Sequence, residues 1–575
     1  LNLVIDPIGV AVAKVSIESI SFSGGQRAQF GGDDLVIIVG PNNAGKSATL
    51  REMLSRLQVA AYAQPTSQVL SGLEIRKTTD KDEVWDVIRS IGKPQAGNPE
   101  FHYFAGQGAG QDAVNEFVNN PRSFAPLCNW FVAHIDASSR LGLAQAQEAP
   151  DFGTQGPSHP MHRLHQSLHT MEKLARWFKR AFGTEIAIDR FAGRMIPLHV
   201  GPNVAPKDGD NLLSEAYWKR LRESPRLDVQ GDGMRGFVGI LMHVLLGHQT
   251  ISLVDEPEAF LHPPQARQLG KRIAEEHASG QVFIATHSAD FLRGALEAKD
   301  RPVRVLRLRR VENKNHVSEL TPEDIRKVWS DPVLRYSNIL DGAFHEKVVI
   351  CEAEGDCRFY SAIADALRDE DDHAYARDVM FAQSGGKGGV PKLVKALKSL
   401  DVPVAAVVDF DVLMSQGQLW AIVEALGGVK ESYEADYRAV KNSIDELGKT
   451  SPTAFKEKLL AVLDGIDYMQ DEVSRKNLAD MQKVLRVSVG NARAKESGLG
   501  MLSRAARPVG QRLLDAFAAI GLFVVPNGAL ESFVTAEAEE KNPWVAAVLE
   551  TYGNTLKTSP ELDGARQFVA RVIAV

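Results

Sequence analysis

Apolar and polar positions first alternate at residues 15–22 (VSIESISF), the period-two pattern of a half-buried strand. Turn residues at Gly24-Gly25 and Gly31-Gly32 separate it from residues 35–39 (LVIIV), an unbroken apolar run that predicts a fully buried strand. Similar short runs recur at 251–254, 282–285, 347–351, 404–408 and 522–525. Between them the spacing turns helical. Met171, Leu174, Ala175 and Phe178 share one face within 162–182, Phe359, Ile363 and Leu367 share another, and 512–520 reads as a third helix. Short buried strands alternating with amphipathic helices predict an α/β chain built on parallel sheets.

At 575 residues the chain exceeds one core, so two or three domains are expected. The pattern changes character near Leu340, dividing the chain into 1–340 and 341–575. Within the first part, about 85–225 carries Gly/Pro-rich stretches at 92–110 and 149–160. It reads as an inserted subdomain for dimer contacts or approach to DNA. Within the second, about 418–503 is rich in charged amphipathic helices such as 454–463 and reads as a helical insertion.

Composition narrows the class. Apolar content of 44% and charged content of 24% are those of a soluble globular protein. No run of eighteen apolar residues occurs, so no membrane span is expected, and residues 1–20 lack the basic start and cleavage site of a signal peptide. Cys128, Cys351 and Cys357 form neither a disulfide framework nor a metal-ligand spacing, which points to a reducing cytoplasm. Net charge of −7 neither supports nor excludes nucleic acid, and the basic run 301–310 (RPVRVLRLRR) reads as a strand with solvated edges. His134, His159, His162, His165 and His169 lack acidic or Cys partners at ligand spacing, so no metal is expected there.

The chemistry begins where 35–39 runs into Gly40-Pro41-Asn42-Asn43-Ala44-Gly45-Lys46-Ser47, followed by a helix. Strand, G-x-x-x-x-G-K-S loop and helix together make a phosphate cradle: backbone N–H groups turn inward and the helix N-terminus adds positive potential. Gly40, Asn42, Asn43 and Gly45 shape the loop, Lys46 would bridge the β- and γ-phosphates, and Ser47 would hold Mg²⁺. A second strand, 251–254, ends at Asp255-Glu256. There Asp255 reaches the metal shell and Glu256 is placed to orient or deprotonate the attacking water. A third, 282–285, exits at Thr286-His287-Ser288. His287 resembles the switch histidine of ABC-type ATPases, and 229–246 (VQGDGMRGFVGILMHVLL) resembles their signature, with Gly233 as its glycine and Gly231 where a serine is usual. The resemblance implies ATP held between two copies, hence a homodimer or higher homo-oligomer.

The second half carries carboxylates instead. Glu352 leaves the 347–351 strand, with Glu354 and Asp356 at two-residue steps, and 404–408 ends in Asp409-x-Asp411. Carboxylates gathered at one rim repel unless a cation neutralises them, which predicts Mg²⁺ or Mn²⁺ and phosphodiester cleavage. This order resembles the TOPRIM domain of topoisomerases, primases and some nucleases. The glutamate motif there reads Glu-Gly, so Glu352-Ala353 and Glu354-Gly355 are both candidates. Glu352 is preferred because it leaves the strand directly and sets Asp356 four residues later. The same resemblance carries over Glu531 as a late metal-site acid and Lys541 as a nearby catalytic lysine.

An ABC-type ATPase with an insertion, fused to a TOPRIM domain, resembles the OLD (overcoming lysogenisation defect) family. The likeness rests on GPNNAGKS, DEPEAFLHP, ATHSADFL and Glu352 with Asp409-x-Asp411. It implies an ATP-binding, metal-dependent DNA endonuclease or nickase. Such proteins often serve bacterial anti-phage defence, in Gabija-like or retron-linked systems where a helicase or other defence protein is a partner. The competing expectation is a non-cleaving ABC scaffold of the RecF or SMC kind.

Overall fold

The computed structural model describes residues 15–59, 68–151, 157–207, 210–212, 214–277, 280–298, 303–320, 338–368, 378–447, 452–466, 491–534 and 541–574, with single positions 474, 477, 478 and 481. Residues 1–14, which carry most of the segment read for a signal peptide, lie outside these, as do 152–156 of the second Gly/Pro-rich stretch and 301–302 of the basic run. The chain divides into two compact units, Leu1–Trp329 and Ser330–Val575.

The first unit is organised by a six-stranded sheet. Its order is Lys314–Leu320, Val303–Val311, Leu35–Val39, Gln281–Ala285, Ile251–Asp255 and Val132–Ile135. Every pairing is parallel except the hairpin between the first two strands. The uniform apolar runs follow from this, since Leu35–Val39 and Gln281–Ala285 are buried at all five positions. Because Gln281–Ala285 lies between Leu35–Val39 and Ile251–Asp255, the three motif-bearing strand ends stand side by side on one rim.

A smaller antiparallel sheet, Arg27–Gln29, Ser16–Phe22 and Leu70–Arg76, covers the helix Lys46–Gln58. Ile17, Ile20 and Phe22 share one core with Leu50, Met53 and Leu57 of that helix. The same core takes in Val84, Ile88, Phe117, Trp130 and Phe131. The stretch 85–225, expected as one insertion, therefore divides. Its first part packs into that same core, and Val132–Ile135 supplies the edge strand beside Ile251–Asp255. A four-residue strand with His134 in it leaves no periodic signal to find.

The rest of that stretch forms a separate layer with a small core of Ala187, Val204, Tyr217 and Leu221. The helix read over 162–182 is two helices, Pro160–Gln166 and Leu168–Phe182. They meet at Ser167, whose Oγ accepts the N–H of Thr170 as an N-cap.

The second unit holds a four-stranded, wholly parallel sheet in the order Val379–Gln383, Lys347–Cys351, Val404–Val408, Leu522–Val524. Val379–Gln383 was not anticipated, because VMFAQ is too short and mixed to stand out. Helices Glu354–Arg368, Lys541–Tyr552 and Asp563–Ala574 close one face through Phe359, Tyr360, Trp544, Val569 and Val572. Between 416 and 497 the regular elements described are helical: Gln416–Ala425, Glu434–Leu447, Pro452–Asp464 and Asn491–Ser497, with a short 3-10 turn at Lys430–Ser432. Among the described residues no helix is long and apolar enough to cross a membrane.

Candidate functional site

Each unit carries a constellation on the C-terminal rim of its parallel sheet, where side chains converge and helices begin. In the first unit the loop after Leu35–Val39 turns through left-handed backbone at Asn43 and Gly45, with φ of 62° and 93°. Gly40 is needed for a different reason. A Cβ there would stand 2.2 Å from the carbonyl oxygen of Leu308 on the neighbouring strand. Lys46, buried at 4% exposure, donates to the carbonyls of Gly40 at 2.7 Å and Pro41 at 2.8 Å, so its ammonium lies folded over the loop. Ser47 Oγ donates to Asp255 Oδ1 at 2.8 Å. Burial raises the Asp255 carboxyl above the usual range, against the Ser47 hydrogen bond, and the neighbouring Glu256 charge adds to the rise.

Glu256 adopts left-handed backbone, φ 47°, uncommon for a residue with a side chain. Its Oε1 stands 3.2 Å from His287 Nε2. Burial and the Lys46 charge depress the His287 pKa, offset in part by Glu256 and Asp255. The geometry thus links Lys46, Ser47, Asp255, Glu256 and His287. Gly233 stands apart from these contacts: it lies in the first turn of the helix Asp232–Leu246, where a Cβ would come within 2.6 Å of the Phe260 carbonyl oxygen. Gly231, just before the helix, faces open space and offers no side-chain cap. Asn42 is exposed on the loop.

Three residues that pattern reading missed support this rim. Asn315 Nδ2 donates to the Ala44 carbonyl at 2.6 Å and lies 2.7 Å from where a Gly45 Cβ would stand, so the edge hairpin holds the phosphate loop from outside. Glu258 Oε1 accepts the backbone N–H of His287 at 2.8 Å, and burial raises its carboxyl pKa. Arg140 Nη1 donates to the Glu256 carbonyl at 2.6 Å.

In the second unit Glu352, Asp409 and Asp411 each offer a carboxylate oxygen, and the three lie within 4.8 Å of one another. Glu352 Oε1 also accepts the backbone N–H of Asp409 at 2.9 Å, which ties the two strand ends together. Burial first, and then the Asp409 charge, push the Glu352 carboxyl up to about 7. Glu354 faces away, pairing with Arg358 on the exposed side of its helix. Asp356, almost fully buried, accepts the Ala353 N–H at 2.9 Å through Oδ2 and meets the Lys541 ammonium at 2.7 Å through Oδ1.

Lys541 also reaches Asp409 Oδ2 at 3.5 Å. Burial alone would depress its ammonium, and Asp409 and Asp356 overcome that to hold it above its ordinary value. Gly355 makes room for this lysine, since a Cβ there would lie 2.8 Å from Asn542 Oδ1 and 3.1 Å from Lys541 Cγ. Glu531, half-buried on the turn Leu530–Ser532, raises the Lys541 pKa by its charge but is not one of the three converging carboxylates.

Two further lysines were not anticipated. Lys387, on the loop after Val379–Gln383, pairs with Asp411. Lys495, from the helix Asn491–Ser497, stands 3.5 Å from Asp409 Oδ2 and 3.7 Å from Asp411 Oδ2. The Gly385-Gly386 turn (φ 70° and 108°) was visible as SGGKGG, and Lys387 inside it was the available clue.

The donor set fits a hard divalent cation. All converging ligands are carboxylate oxygens, and two of the acids are held above their ordinary pKa by burial. The ammonium groups of Lys387, Lys495 and Lys541 partly balance the same negative charge.

Two family models match the chain, one in each unit. A family model described as "AAA domain, putative AbiEii toxin, Type IV TA system" matches residues 204–293. A second, "Overcoming lysogenization defect protein-like, TOPRIM domain", matches residues 344–411. No curated protein matches the chain. Similar solved structures include an Smc head domain with an extended coiled coil bound to the C-terminal domain of ScpA, derived from Pyrococcus furiosus. It is 10% identical, covering 55% of this chain and 99% of that one, at a TM-score of 0.31. Others are the SMC head domain from Thermotoga maritima (13% identity, 53% and 99% covered, TM-score 0.25) and a nucleotide-free ATP-binding cassette of an ABC transporter (13%, 56% and 98%, 0.25). The chain thus carries an AAA-type ATPase domain followed by an OLD-like TOPRIM domain.

Proposed function

We propose that the protein is an ATP-controlled, Mg²⁺- or Mn²⁺-dependent DNA endonuclease or nickase serving bacterial anti-phage defence in the cytoplasm. Residues 1–340 form its ATPase half and 341–575 its nuclease half. The observation that carries the reading is the convergence of Glu352, Asp409 and Asp411 within 4.8 Å, beside a lysine held between Asp356 and Asp409. A scaffold has no need to bury acids against one another at such electrostatic cost.

Glu352, Asp409 and Asp411 would hold the cation, with Asp356 and Glu531 assisting. When bound, it would supply Lewis-acid stabilisation and an activated water. The chain's own part is to orient: Lys541 holds Asp356 and Asp409 in place and offers a positive charge to the scissile phosphate. Lys387 and Lys495 add the local positive potential that phosphate binding requires despite a net charge of −7.

In the ATPase half, Gly40, Asn43, Gly45 and Lys46 would cradle the phosphates of ATP, with Asn42 beside them, and Ser47 and Asp255 would hold its Mg²⁺. Glu256 would orient the attacking water, with His287 close to the γ-phosphate. The uncapped helix start before Gly233 suits the nucleotide of a second copy, so a homodimer or larger homo-oligomer is the working form. A helicase or other defence protein is the partner class.

The test is incubation of supercoiled plasmid with Mg²⁺ or Mn²⁺, with and without ATP. Nicked or linear product that responds to ATP supports the reading. Plasmid left supercoiled under every condition sinks the nuclease and leaves the RecF- or SMC-like scaffold.

A further inference from the structure

The loop that follows the edge strand Val132–Ile135 ends in an arginine that no motif accounts for. The loop is rigid for a local reason: Asp136 Oδ1 accepts from the N–H and Oγ of Ser138 and from the N–H of Ser139, and the Arg140 N–H closes onto the Asp136 carbonyl at 3.1 Å. Arg140 itself is 1% exposed. Its Nη1 donates to the Glu256 carbonyl at 2.6 Å, while Nε and Nη2 are buried without a hydrogen-bond partner among the described residues. Its guanidinium carbon lies 5.8 Å from the Phe260 ring centroid.

A guanidinium keeps its charge inside a protein, and leaving two of its nitrogens unsatisfied is costly. The arrangement would not be retained for packing alone, because an apolar side chain of similar length fills the same volume without that cost.

What the single hydrogen bond does is visible in the turn it holds. Glu256 and Phe260 both take left-handed backbone, φ 47° and 68°, in a stretch without glycine. That conformation directs the Glu256 carboxylate at His287. Strained turns persist only where the surroundings over-determine them. Here the Glu256 carbonyl is held by the Ala259 N–H at 3.1 Å and by Arg140, and the Glu256 N–H donates to Ala285 at 2.8 Å.

Arg140 is anchored in turn by the helix Asp232–Leu246. Its Cδ lies 3.7 Å from where a Gly236 Cβ would stand, its carbonyl 3.3 Å from that of Gly239, and Arg235 Nη2 donates to Leu141 O at 2.8 Å. The arginine therefore sits between the Gly233-bearing helix and the carboxylate at the nucleotide rim.

We infer that Arg140 is a positioning residue for ATP hydrolysis, acting through the Glu256 carbonyl to hold the Glu256 carboxylate in its working direction. The inference rests on the ATPase reading above and adds to it the residue that sets the carboxylate's aim. A misplacement of about an ångström at such a group costs on the order of 100-fold.

The experiment measures phosphate release and ATP affinity of the full chain carrying Arg140→Met, Arg140→Gln or Arg140→Lys, alone and in a Glu256→Gln background. Arg140→Met should lower kcat about 50-fold with the Kd for ATP within about threefold of wild type. Arg140→Gln and Arg140→Lys, each able to donate to the carbonyl, should recover to within about fivefold. In the Glu256→Gln background Arg140→Met should cost less than about threefold more, since the two residues act as one unit.

Full activity of Arg140→Met, parallel loss of kcat and ATP affinity, or additivity with Glu256→Gln would each overturn the inference. Should Arg140→Met not fold, the Gln and Lys variants decide: inactive Arg140→Gln beside active Arg140→Lys makes charge, not the carbonyl contact, the cause. Wild-type protein that releases no phosphate overturns the hydrolysis reading beneath it, a result distinct from all of these.

Discussion

The two rims are made of different material. The phosphate loop is a backbone device: contiguous residues, left-handed turns at Asn43 and Gly45, a close approach at Gly40, and a lysine folded onto its own loop carbonyls. The carboxylate rim is a side-chain device, drawing Glu352, Asp356, Lys387, Asp409, Asp411, Lys495 and Lys541 from separate elements into one charged cluster. A backbone device binds what its N–H groups face and stores little electrostatic tension. A cluster of buried acids stores a good deal, and so responds to protons and cations in a way the backbone of the phosphate loop does not.

The largest test of this contrast is Glu352→Ala, which should lower metal-dependent cleavage about 1000-fold while leaving ATP affinity unchanged. Plasmid nicking and nucleotide titration read the two halves separately, and retained cleavage removes Glu352 from the site.

Next comes Lys46→Ala. Charged hydrogen bonds to the phosphates contribute about 1.5–3 kcal/mol, so ATP affinity should fall on the order of 10- to 100-fold by calorimetry. Divalent-metal binding at the second rim should stay the same, and a change there breaks the separation.

A smaller effect concerns pH. The Glu352 carboxyl stands at about 7 against an ordinary 4.5, so between those values the folded protein holds a proton that the unfolded chain has released. The associated stability is full below about 4.5 and is lost as pH rises through about 7, a change of about 3 kcal/mol in metal-free protein. Thermal melts in chelator across this window should show it, and Glu352→Gln should flatten it. Cations bind the ionised carboxylate, so metal affinity should rise with pH by up to about tenfold per unit below 7 and level off above. A pH-independent affinity would mean that Glu352 is not a ligand.

The smallest predicted effect is at Glu354. Its pair with Arg358 is exposed, with side chains 54% and 62% accessible, so Glu354→Ala should change stability by less than about 0.5 kcal/mol and leave cleavage intact. Lost cleavage would reverse the choice between the two glutamates.

The same difference in material explains what was legible beforehand. GPNNAGKS, LVDE and ATHS are contiguous, so one-dimensional reading finds them, and the strand–loop–helix context follows. Glu352 and Asp409-x-Asp411 were found because each leaves an apolar strand. Lys387 and Lys495 were not, since a lysine in a glycine turn and one on a short helix look like solvated surface until the chain folds. Arg140, Glu258 and Asn315 act on backbone atoms of residues distant in sequence, a role that leaves no residue-type pattern. The edge strand Val132–Ile135 was hidden by its brevity.

Lys541 follows every other member of its cluster along the chain, and it comes from a helix that also closes the core beneath the sheet. A ribosome delivers the chain from its N-terminus, so the phosphate loop and its partner carboxylates emerge first and Lys541 emerges last of either set. Until then Asp356 and Asp409 lack the ammonium between them, and Trp544 is missing from the core under Phe359. The charged cluster of the second unit is therefore complete only once Lys541 has been made, well after the phosphate loop. A polypeptide abandoned before residue 541 carries the phosphate loop and a carboxylate cluster that lacks this lysine.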